Sequence, residues 1–96
     1  MRVTKDYVFA LVERLGRAVA QKADALVPPP APGTIVKSAI RYDQKAISDE
    51  LWRIQKKVGY GDLTVREGVE ALHRLSECHK LLVGNDWKEK LRSIAV

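Results

Sequence analysis

All four prolines of this chain stand between residues 28 and 32, at Pro28, Pro29, Pro30 and Pro32. Proline fixes φ, removes a backbone donor and drives the preceding residue out of the helical region, so no helix crosses this point. The chain is thereby cut into a segment ending near Val27 and a remainder starting after Gly33, with residues 28–33 as a stiff, extended connector. Such a run also suits the aromatic-lined grooves that take polyproline ligands. A spacer between antiparallel helices is the better reading, because no Lys or Arg flanks the prolines closely enough to orient a ligand.

On both sides of the cut, apolar residues recur at helical spacing. In the first segment Val8, Leu11, Leu15, Ala18, Val19 and Leu26 recur at threes and fours, flanked by Tyr7 and Val12, with Thr4 or Asp6 as the cap. Gly16 lies in mid-helix, where it would allow close approach of a neighbour. In the second, Ile40, Ile47, Leu51, Ile54 and Val58 form a packing seam with Gln44 in its gap. Gly59-Tyr60-Gly61 ends that helix, and Thr64-Val65-Arg66-Glu67 is a capping box that opens the next. Val65, Val69, Leu72, Leu75, His79, Leu82 and Val83 carry the third helix to a stop at Gly84. Asp86 and Glu89 repeat the capping spacing before Trp87, Leu91 and Ile94. Sustained strand-type alternation is missing. The expected fold is therefore all-α: one domain over residues 1–96, with long helices over about 4–27, 35–58 and 63–83 and a short one over about 86–95.

A chain of 96 residues supports a single modest core. The apolar run Tyr7 to Val12 is stopped by Glu13-Arg14, far short of the roughly 20 residues that span a bilayer. Lys5-Asp6 and the lack of a small-residue cleavage site argue against a signal peptide. The lone Cys78 excludes an internal disulfide and favours a reducing setting. A cytoplasmic protein with no membrane contact is expected.

The cluster His73, Glu77, Cys78, His79 is where metal or nucleophile chemistry would have to reside. His73 and Glu77 share a helix face, but His79 lies roughly 120° around the axis from His73, and neighbouring helical residues such as Cys78 and His79 diverge by about 100°. The spacing fits no zinc pattern, and no second set of ligands accompanies it. Cys78 reads as a partly buried structural thiol. The carboxylate pairs Asp49-Glu50, Glu67-Glu70 and Glu70-Glu77 all have basic neighbours one turn away. No metal, no cofactor and no enzymatic activity are expected.

The net charge of +5 is spread along the chain without any block of like charge. Lys37, Arg41 and Lys45 form a stripe at the start of the second helix, and Arg53, Lys56 and Lys57 cluster at its end, with Asp43, Asp49 and Glu50 interleaved. Together with Arg66 after the Gly59-Tyr60-Gly61 turn, these residues could track a phosphate backbone, as in a small DNA- or RNA-binding regulator. The reading placed first is a non-enzymatic protein-interaction module: an adaptor, assembly factor or inhibitor of a larger machine that also self-associates. The first helix carries apolar residues on more than one side, and surplus apolar surface on a small domain marks contact with another chain. Tyr7, Phe9, Trp52 and Trp87 are its candidate anchors, with Arg41, Lys45, Arg53 and Lys56 as a rim suited to an acidic protein.

Overall fold

The computed structural model describes residues 3–27, 33 and 38–94, so the proline run and residues 34–37, Lys37 among them, lie outside the described residues. The fold is all-α: α1 (Lys5–Leu26), α2 (Ala39–Tyr60), α3 (Val65–Cys78), α4 (Lys80–Val83) and α5 (Asn85–Arg92). No strand occurs among the described residues, and no described helix is long and apolar enough to cross a membrane.

The hydroxyl of Thr4, not Asp6, caps α1 by accepting from the Tyr7 backbone N–H at 3.3 Å. Val8, Leu11, Val12, Leu15, Val19 and Ala23 are buried along this helix, while Leu26 is exposed. The surplus apolar face expected of the first helix is therefore not there. Because α2, α3 and α4 all pack on α1, Val12 and Val19 enter the same core as Val8 and Leu15, and Tyr7 and Phe9 pack at its edge.

Helices α1 and α2 run antiparallel, with Phe9 beside Gly59 at one end and Asp24 bonded to Arg41 at the other. Ile47, Leu51, Ile54 and Val58 supply the buried seam of α2. The helix outlasts its expected end by two residues, through Gly59 and Tyr60, because only Gly61 adopts the left-handed conformation that stops it, at φ 85°. Gly61 N–H then donates to Val58 C=O at 3.2 Å and Leu63 N–H to Lys57 C=O at 3.1 Å.

The capping box of α3 forms as expected: Thr64 Oγ1 accepts from Glu67 N–H and Glu67 Oε1 accepts from Thr64 N–H, each at 3.1 Å. These bonds hold the Glu67 carboxyl below the usual carboxylate range. Close helix approach falls at Gly68, not Gly16. A Cβ on Gly68 would stand 2.6 Å from Val58 Cγ2, whereas one on Gly16 would meet Leu51 Cδ1 at an ordinary 3.8 Å.

The third helix is interrupted where continuity to Val83 was expected. His79 leaves the helical region at φ −121°, ψ 54°, and separates α3 from α4. Two side chains act there: buried Ser76 donates back to His73 C=O at 2.6 Å, and His79 Nδ1 pairs with Asp43 Oδ1 of α2 at 2.6 Å. Back-bonding of this kind weakens the helical ladder and favours a bend. The break turns Leu82 and Val83 into the core against α1, and α5 then lays Leu91 against α3. The second expected capping box does not form. Gly84, at φ 81°, precedes α5 without a side-chain cap, and Asp86 sits in its first turn.

Candidate functional site

With the α2 seam at Ile47, Leu51, Ile54 and Val58 turned inward, residues one position off the seam must face water. Trp52, Lys56 and Tyr60 are spaced by four and therefore stand in a row on the outside of α2. Trp52 is 63% exposed and Tyr60 76%, values unusual for side chains whose rings would each remove a large apolar area from water if covered. Lys56 Nζ lies 4.7 Å from the centre of the Trp52 ring, a cation–π contact between side chains one turn apart.

These side chains form one wall of an open groove, with Gln55 beside them. Its other wall is Phe9 of α1, whose ring approaches within 3.5 Å of where a Gly59 Cβ would be. The groove exists because α2 carries no side chain at position 59. It is an apolar slot with an amide and an ammonium at its lip, a surface suited to taking an apolar side chain of another molecule.

The four aromatic anchors named from sequence thus separate. Phe9 and Trp52 share the groove, Tyr7 packs against the core elsewhere on α1, and Trp87 packs against it from α5 with Lys90 Nζ 4.8 Å from its ring. Tyr60 and Gly59 were read from sequence only as a helix stop. The spacing of Trp52, Lys56 and Tyr60 by four was the signal for a shared face.

The basic positions also separate. Arg41 points inward, its side chain 23% exposed, and donates to Asp24 Oδ1 at 2.8 Å, to Gln44 Oε1 at 2.9 Å and to Val27 C=O. It ties α1 to α2 and is not presented as a rim. Lys45 lies 4.0 Å from Asp49, Arg53 2.6 Å from Glu50 and Arg66 3.3 Å from Glu70, so each is matched by a carboxylate on its own helix. Lys56 lines the groove, and Lys57 is exposed on the same helix.

His73 and Glu77 stand 3.6 Å apart, as their shared face implies, while His79 turns to Asp43. Cys78 is exposed and not partly buried, because its bearing on α3 falls away from the face that buries Val69, Leu72, Leu75 and Ser76. Among the described residues no group of three or more His, Cys, Asp or Glu side chains comes close enough to hold a metal ion. Compared with known proteins, the chain matches no protein-family model, no curated protein and no solved structure.

Proposed function

We propose that this chain is a small helical protein-interaction module that takes a partner's apolar side chain into the groove between Phe9, Trp52 and Tyr60. Self-association through the same groove belongs to this reading, as does service as an adaptor, assembly factor or inhibitor of a larger assembly. The exposure of Trp52 and Tyr60 beside a core that is complete without them carries it. Aromatic side chains contribute disproportionately to protein interfaces, and two placed on one wall are a natural anchor pair. Lys56 sets a positive charge at the groove, and the net charge of the chain is +5, which favours an acidic partner by long-range steering.

The nucleic-acid reading rests on the same helix. Of its basic residues Arg41, Lys45, Arg53 and Arg66 are already matched by carboxylates, so the geometry lends it less support.

The test compares the wild-type chain with Trp52→Ala and Tyr60→Ala by sedimentation equilibrium and by capture from lysate with and without nuclease. Self-association, or a defined protein partner, is expected to survive nuclease and to be lost in both variants, with helicity by circular dichroism unchanged. Association that persists undiminished in both variants, or capture that disappears with nuclease, overturns the proposal.

A further inference from the structure

On the opposite side of α3 from α2, a cleft of about 490 Å³ opens between α3 and α5. Arg66, Glu70, His73 and Arg74 reach it from α3 and Arg92 from α5, over an apolar floor that includes Leu91. Three guanidinium groups there face a single lining carboxylate. That carboxylate, on Glu70, is already bonded to Arg66 Nε at 3.3 Å, whereas Arg74 and Arg92 form no ion pair among the described residues.

His73 lines the same cleft and carries an unpaired ring nitrogen. Its Nε2 is buried without a hydrogen-bond partner, and the Glu77 carboxylate at 3.6 Å is too distant to serve as one. Buried polar atoms are rarely left unpaired, because the lost contact with water is not replaced. Nε2 has almost no surface open to the cleft, whereas the His73 side chain as a whole is 29% exposed, so the ring must turn for a group seated there to supply the missing acceptor.

We infer that this cleft binds a phosphate monoester, gripped between Arg74 and Arg92 with His73 in the lining beside them. The guanidinium fork matches carboxylate and phosphate oxygens alike, but one carboxylate is saturated by one fork. Two uncompensated forks on different helices suit an anion with two charges and more than two oxygens. Ile94, partly exposed in the lining, offers the organic part of the ester an apolar seat. The site shares no residue with the Phe9–Trp52–Tyr60 groove, so the two proposals stand or fall separately.

Inorganic phosphate is the first probe, titrated against the 15N-labelled chain at constant ionic strength and followed by NMR. Saturable shifts of the His73 ring and of the backbone amides around Arg74 and Arg92 are expected. Affinity should fall about tenfold or more in Arg74→Gln and in Arg92→Gln. Arg92→Lys, which keeps the charge and loses the fork, should be intermediate, and Trp52→Ala should bind as wild type. O-phosphoserine and adenosine monophosphate then distinguish a phosphorylated protein from a nucleotide as the source, by which of them binds more tightly than phosphate alone. No saturable shift, or equal shifts in the wild type and all three arginine variants, overturns the assignment.

Discussion

Gly68 of α3 lies so close to Val58 of α2 that a methyl group added to Gly68 would come within 2.6 Å of Val58 Cγ2. Two effects of Gly68→Ala oppose each other. Alanine improves helix propensity by about 1 kcal/mol, and overpacking a filled core costs about 1–3 kcal/mol. Val58 is fully buried and cannot swing aside, so the packing cost prevails. Gly68→Ala is expected to destabilise the fold by about 1–2 kcal/mol in urea denaturation. In a Val58→Ala background the same substitution should be neutral or stabilising, and strict additivity in that double-mutant cycle would refute the contact.

Arg41 is the second structural dependency. Hydrogen bonds to charged groups contribute about 1.5–3 kcal/mol, but Asp24 is 56% exposed, which weakens its share. Arg41→Ala should therefore cost about 1–2 kcal/mol, through loss of the bonds to Gln44 and Val27 C=O as well as to Asp24. Arg41→Lys should recover only part of this, because an ammonium cannot reach all three acceptors as the fork does. Thermal or urea denaturation of both variants checks the order; equal stability of the lysine variant and the wild type would contradict it.

The capping box makes α3 sensitive to acid. Bonds from Thr64 lower the Glu67 pKa in the folded chain, so its contribution is present above the ordinary glutamate range and is lost as pH falls through the lowered value. Glu67→Gln keeps an acceptor for Thr64 N–H and does not titrate. The wild type should be the more stable of the two near neutrality, with the difference vanishing in acid. A difference that is constant across pH in denaturation experiments would rule this linkage out. Thr64→Ala removes the cap itself, at a cost of about 1 kcal/mol.

Local grammar made much of this fold legible. The proline run, the Thr64 to Glu67 box and the glycines at positions 61 and 84 act on their own neighbours, and the apolar periods of α1 and α2 mark which faces are buried. What periodicity could not show was contact between segments. The Asp43–His79 pair joins residues 36 apart, and the break at His79 depends on it together with the Ser76 back-bond. Gly68 carries no signal of its own in the apolar period, because its meaning lies in the closeness of Val58. Likewise the breadth of the apolar face on α1 suggested a missing partner, when α3 and α4 of the same chain were to cover it. The groove was half legible: Phe9 and Trp52 were picked out as aromatics, but the wall they share with Tyr60 required α1 and α2 to be set side by side.

The tryptophans occupy contrasting surroundings, Trp52 open to water beneath Lys56 and Trp87 packed on the core beneath Lys90. The chain thus carries its own pair of optical reporters, one in the groove and one on the helix that carries Arg92. A neutral quencher reaches the indole of Trp52 and is kept from much of that of Trp87, so their emissions separate without any label. Occupation of the groove would shield the first, while loosening of α5 would uncover the second.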